Sequence, residues 1–114
     1  MYLGRYVSGK KDGFGITVNS KDGVVVSDYR RGNLNGQGVT IHPEYVYLGE
    51  FTKGRRHGRG KLKRHGYFYR GSWTNGKRDG MGSERYTNID AYTGEFFEGA
   101  RTGRGKLVQY NDSG

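Results

Sequence analysis

Residues 69 to 82 read Tyr69-Arg70-Gly71-Ser72-Trp73-Thr74-Asn75-Gly76-Lys77-Arg78-Asp79-Gly80-Met81-Gly82, and the rest of the chain repeats their frame four more times. With Tyr69 as position 0, the other copies start at Tyr2, Val25, Tyr47 and Tyr92, so successive starts lie 23, 22, 22 and 23 residues apart. Position 2 is Gly4, Ser27, Gly49, Gly71 and Gly94, and position 4 is aromatic throughout, as Tyr6, Tyr29, Phe51, Trp73 and Phe96. Position 7 is always glycine (Gly9, Gly32, Gly54, Gly76, Gly99). Positions 11 and 13 are glycine in every copy, from Gly13 and Gly15 to Gly103 and Gly105.

This spacing has a mechanical meaning. Residues 0, 2 and 4 of a strand share one face, so Tyr-x-Gly-x-aromatic sets two rings and a gap on the same side. Glycine at position 7, two polar residues and a turn-former at position 10 (Asp12, Asn35, His57, Asp79, Thr102) predict a hairpin loop there. Each repeat is therefore expected to be two strands and a turn. The Gly-x-Gly that opens the second strand offers bare backbone on which rings can lie.

The frame resembles that of the MORN repeat family, and the resemblance covers all five units. It is weakest in the second, where Val25 and Ser27 replace Tyr and Gly. The expected fold is all-β: an elongated rod of five antiparallel β-hairpins in one twisted, ribbon-like sheet. Residues 1–114 form one domain, with repeats of approximately 2–24, 25–46, 47–68, 69–91 and 92–114. At about 4.8 Å per strand, ten strands give a rod on the order of 50 Å long.

With 22 glycines and 32% hydrophobic residues, the chain is too lean for a globular core, but a solenoid buries its rings between neighbours instead. No capping segment is visible at either end, which suggests a piece of a longer protein or a subunit held at both ends. Cysteine is absent. No apolar run approaches the roughly 20 residues that span a bilayer, and no signal-peptide core precedes the repeats. A cytoplasmic location follows as an expectation, at the cytoskeleton or the cytoplasmic face of a membrane. Asn111-Asp112-Ser113 matches a glycosylation acceptor formally, and is discounted in a chain with no secretory signal.

Two surfaces stand out. The inner face should carry the packing or groove aromatics Tyr2, Tyr6, Tyr29, Tyr47, Phe51, Tyr69, Trp73, Tyr92 and Phe96. The opposite parity carries Leu3, Val7, Phe14, Ile16, Val18, Val26, Val39 and Ile41, an apolar patch expected to exceed what monomers usually expose and hence to be a partner or dimer interface. A bulge at Gly13-Phe14-Gly15 or Gly36-Gln37-Gly38 is the rival expectation, since a register change would turn Ile16, Val18, Val39 and Ile41 inward. His42-Pro43-Glu44 holds the one proline, where strand pairing should end or bulge.

The chain carries a formal charge of +9, and between Phe51 and Arg78 there are ten Lys or Arg and no Asp or Glu. Arg55, Arg56, Lys77 and Arg78 are placed in the loops after position 7, as are Lys10, Lys11 and Arg101, so stacked repeats should align them into a basic ladder. Arg59, Lys61 and Lys63 alternate onto the outer face, while Leu62 stays inside. Lys10, Lys11, Lys53, Arg55, Arg56, Arg59, Lys61, Lys63, Lys77 and Arg78 together form a candidate surface for anionic lipid.

Catalytic chemistry is not legible. Gly99 to Leu107 fails the P-loop pattern in spacing and at Leu107. His42, His57 and His65 have no metal-ligand spacing and read as solvated turn residues. The carboxylates are scattered, and no acid/base pair can be argued. The functional expectation is a non-catalytic scaffold without cofactor that binds a partner protein or a second copy of itself, through the apolar outer patch and the aromatic groove. The alternative is membrane-surface binding through the basic ladder, and the family resemblance favours phosphoinositide headgroups there. That resemblance also implies cytoskeletal and membrane-junction settings. Nucleic acid ranks last, because the rings are needed for packing.

Overall fold

The computed structural model describes residues 1–87 and 90–109. The Asn111-Asp112-Ser113 acceptor and the close of the fifth repeat at Gly114 lie outside them. Ten strands are described: β1 (Tyr2–Val7), β2 (Lys10–Asn19), β3 (Gly23–Arg30), β4 (Asn33–Ile41), β5 (Tyr45–Thr52), β6 (Arg55–Arg64), β7 (Tyr67–Thr74), β8 (Lys77–Tyr86), β9 (Asp90–Phe97) and β10 (Ala100–Gln109). They pair antiparallel in chain order in a single open sheet. The principal extents are 58 × 25 × 16 Å, a rod somewhat longer than expected.

The turns are tighter than the sequence suggested. Strand pairing resumes at position 8, so the connection is the two residues at positions 6 and 7 of the frame, such as Asn75-Gly76 between β7 and β8. Both have positive φ, 49° at Asn75 and 84° at Gly76, which is a type I′ turn, whose twist matches that of the flanking strands. The expected loop residues Lys10, Lys11, Arg55, Arg56, Lys77, Arg78 and Arg101 are therefore strand residues. Each turn also stacks on the next. The position 7 glycine N–H donates to the position 9 carbonyl of the preceding repeat, as Gly76 does to Arg56 and Gly99 to Arg78, both at 2.8 Å. His42-Pro43-Glu44 ends strand pairing without a bulge and closes β4 onto β5.

The turn-former at position 10 instead introduces a bulge in the second strand of each hairpin. Gly4 faces Gly15 but Arg5 faces Asp12, so Gly13 and Phe14 are extra. The same shift recurs after Gly49 and after Gly71. The position 11 glycine takes the left-handed backbone this needs, φ 90° at Gly80. Because the bulge holds two residues, it preserves the alternation of faces. The rival expectation fails for that reason: Ile16, Val18, Val39 and Ile41 stay on the outer face, paired with Leu3, Val24, Val26 and others.

The core is the ring lattice of the inner face. Each position 0 ring meets its own position 4 ring and that of the next repeat edge to face: Tyr47 touches Phe51 and Trp73, and Tyr69 touches Trp73 and Phe96, with centroids 5.1 to 5.6 Å apart. The position 0 ring lies across the paired glycines at positions 2 and 13. A Cβ on Gly60 or Gly82 would overlap the ring of Tyr47 or Tyr69. The hydroxyl then donates to the position 3 carbonyl, as Tyr69 does to Ser72 at 2.8 Å and Tyr92 to Glu95 at 3.0 Å.

Candidate functional site

Cross-strand register builds the outer face row by row. One row runs Leu3, Ile16, Val26, Val39, Leu48, Lys61, Arg70, Ser83, Thr93, Lys106 across all ten strands. Beside it runs Val18, Val24, Ile41, Val46, Lys63, Phe68, Arg85, Ala91, Val108. Both rows are apolar as far as β5 and turn basic at β6. Six of the eight expected patch residues fall in these rows. Val7 and Phe14 do not, since Val7 lies opposite Lys10 near the turn and Phe14 stands on the bulge opposite Asp28. Val24, Val46 and Leu48 also belong to the rows, and parity is the sequence signal for them: Val24 shares that of Val26, and Val46 and Leu48 are opposite to the inward Tyr47.

The face is exposed in substance. Leu3 retains 58% of its accessible surface, Ile41 51% and Leu48 50%. Beyond them, Arg59, Lys61, Lys63 and Arg70 share the outer face, and among the described residues none has a carboxylate within salt-bridge distance. Glu50, the nearest acid in the register, is held by the backbone N–H of Arg59 at the bulge, at 2.5 Å. An open pocket of about 270 Å³ lies among Leu48, Arg59, Lys61 and Arg70.

The basic ladder does not form as one surface. Lys10, Arg55, Arg59, Lys61, Lys63 and Lys77 belong to the outer parity, Lys53 sits in a turn at φ 51°, and Lys11, Arg56 and Arg78 point inward, as does Arg101. The reason is that the expected loops are strands, so neighbouring cations alternate. The inward set occupies position 9 of each repeat: Lys11, Leu34, Arg56, Arg78, Arg101. Each cation lies over rings. Lys11 Nζ is 5.0 Å from the centroid of Tyr2, and the Arg56 guanidinium is 5.0 Å from Tyr47 and 5.1 Å from Trp73. This periodicity is present in the sequence, but a position expected in a loop has no face, and only its place in a strand turns it inward.

All nine expected groove aromatics are on the inner face, joined by Tyr45, Tyr67 and Tyr86, which were not singled out. Burial falls toward the first repeat: Tyr69 is fully buried and Tyr6 is 57% exposed. Burial pushes the phenols of Tyr47 and Tyr69 up to about 12 and raises that of Tyr67 further. Between the fourth and fifth repeats the buried Glu84 carboxylate accepts from Tyr67 at 2.7 Å, from Arg78 and from Arg101. Arg101 also pairs with Asp90 at 2.9 Å, and its guanidinium pKa is raised, chiefly by that hydrogen bond. Glu84 and Asp90 are thus both paired with arginines.

The histidines do not converge. His42 stacks on Tyr45 in its turn, with centroids 4.7 Å apart, His57 lies in β6 rather than in a turn and accepts from the Asn75 N–H at 3.4 Å, and His65 is in the β6–β7 turn. Among the described residues no three His, Cys, Asp or Glu are placed to hold a metal ion, and no helix is long and apolar enough to cross a membrane.

A family model of the MORN repeat matches residues 2–21, 26–44, 47–65, 69–88 and 92–113. The chain belongs to the MORN repeat family. Its five matches coincide with the five hairpins, and MORN repeats are generally non-catalytic. A comparison with curated proteins found no match. Within this MORN rod the second repeat is the structural exception. Val25 removes the ring, and Ser27 takes over its hydrogen bond: the Ser27 hydroxyl donates to Asp28 O at 3.1 Å, the position 3 carbonyl that a tyrosine serves elsewhere. The two departures are one coupled exchange.

Proposed function

We propose that the chain is a non-catalytic interaction scaffold whose outer apolar rows are covered by a protein, in the first instance a second copy of itself. The observation that carries this reading is the pair of cross-strand rows that run, one through β1–β5 and the other through β2–β5, without a charged side chain. A two-fold axis through that patch, perpendicular to the rod, lays like on like and sends the two basic halves to opposite ends, which avoids repulsion. Burying such residues is worth about 25 cal/mol per Å². Solution mass tests it: Ile16→Lys with Ile41→Lys should leave the fold intact and convert a dimer to a monomer. A wild-type chain that is monomeric at high concentration, and that this double substitution unfolds, ends the reading.

A second reading rests on the unpaired outer cations Arg59, Lys61, Lys63 and Arg70. These support adhesion to an anionic membrane surface, including phosphoinositide headgroups, at on the order of 1 kcal/mol per cation and with strong salt dependence. Lys61→Glu, Lys63→Glu and Arg70→Glu together should abolish sedimentation with anionic vesicles. Wild-type protein that ignores such vesicles at low salt removes this reading.

A further inference from the structure

The ring lattice has one gap. Val25 stands where the second repeat would place a tyrosine, and Leu34 stands where it would place a cation. Beside these two residues lies an open recess of about 400 Å³, lined by Val25, Leu34, Thr40, Tyr45, Phe51 and Arg56 among others. The corresponding space is filled in the next repeats, where Tyr47 meets Trp73 and Tyr69 meets Phe96. The backbone around the gap is already satisfied through Ser27. An entering group therefore has only to fill space.

The charge beside the recess is uncompensated. Arg56 rests on Tyr45, Tyr47 and Trp73, and Arg64 rests on Tyr67, yet neither has a carboxylate within salt-bridge distance among the described residues. A second pocket of about 270 Å³ adjoins the first through Arg56 and Gly76 and reaches Arg64 and Tyr67. Farther along, Arg78 and Arg101 are neutralised by Glu84 and Asp90. The inner face is thus positive beside its one empty ring position and balanced beyond it.

We propose that this recess receives an aromatic side chain carried on an acidic segment of another protein. The ring lies in the recess against Val25, Leu34 and Phe51, edge to face with the neighbouring rings, and flanking carboxylates pair with the Arg56 and Arg64 guanidiniums through charge-assisted hydrogen bonds. The inference rests on the scaffold reading only in taking the occupant to be a protein segment, since the surface is the opposite one from the apolar rows. Lys21 and Asp22 at the inter-repeat turn border the recess, so specificity is set by both signs of charge at that edge.

The test is a random-peptide display selection on the intact chain, followed by direct binding of the selected peptides. They should share a Phe, Tyr or Trp flanked by Asp or Glu. Val25→Tyr combined with Ser27→Gly restores the repeat frame, fills the recess and should raise thermal stability, yet weaken binding about tenfold or more, as loss of a central aromatic anchor does. Arg64→Glu should weaken binding as well. Ile16→Lys with Ile41→Lys should leave peptide binding unchanged. The inference is overturned if no acidic-aromatic peptide is selected, or if the filled variant binds within about twofold of wild type. Loss of binding in the outer-face variant instead places the peptides on the apolar rows, which overturns this inference and leaves the scaffold reading standing.

Discussion

The coupled exchange at Val25 and Ser27 shows how narrowly each residue in the lattice is constrained. A tyrosine at position 0 requires bare backbone at positions 2 and 13, because its ring occupies the volume of both Cβ atoms. Without the ring, a serine fits and supplies the missing donor. The same logic predicts non-additive energetics. Gly82→Ala should cost about 1–3 kcal/mol by overpacking against Tyr69, and much less in a Tyr69→Val background, as a double-mutant cycle by denaturant titration would reveal. Trp73 is the largest buried ring, touches both Tyr47 and Tyr69, and donates its Nε1–H to Gly60 O at 3.2 Å. Trp73→Ala should lower stability by about 3–5 kcal/mol, and a loss below about 1 kcal/mol would contradict its place in the core.

At the scale of the element, the hairpin depends on two glycines with different duties. Gly76 holds the type I′ turn at φ 84°, with nothing within 4 Å of a built Cβ, so Gly76→Ala meets backbone strain alone. It should cost about 1–2 kcal/mol. Gly80 opens the bulge at φ 90° and sits 3.2 Å from Ser72 Cβ when given a Cβ, so Gly80→Ala meets both strain and crowding and should be the more costly of the two in thermal unfolding. The bulge is what keeps the rows of the outer face intact. An insertion of one residue rather than two would have moved every later side chain of that strand to the other face.

Over the whole molecule, stability is unevenly spread. The buried ring cluster spans Tyr47 to Phe96, in the third to fifth repeats, whereas β1 is exposed along nearly its whole length. In a solenoid each repeat is held by its neighbours, and β10 at the other edge is as exposed as β1, so native-state hydrogen exchange should be slowest in β5–β8 and fastest in β1 and β10. Equal protection along the rod would contradict this gradient. High pH should unfold the rod through its phenols. Tyr47 and Tyr69 ionise near pH 12 when folded and near pH 10 when unfolded, because burial opposes the charged form. The unfolded chain therefore binds fewer protons between these values, so stability is fully present below pH 10 and falls as pH rises from 10 toward 12. Circular dichroism followed across that window should be lost in one cooperative step, accompanied by a rise in tyrosinate absorbance from the buried phenols.

The period of 22 or 23 residues, the strand parity and the ring frame are local facts, and they determined the hairpin rod, the inner-face aromatics and the outward course of Leu3, Ile16, Val26 and Val39. They are legible because a strand alternates its faces every second residue whatever surrounds it. What the sequence left open was decided by pairing. Whether Arg55 and Arg56 belong to a loop or a strand depends on where β5 and β6 begin to exchange hydrogen bonds, and only that register sends Arg56 inward over Tyr47 while Arg55 stays out. The Glu84 cluster likewise joins Tyr67, Arg78 and Arg101 from three strands, and no spacing along one chain segment announces it. Charge and aromatic periodicity are written in the sequence; which of those groups meet is a property of the sheet.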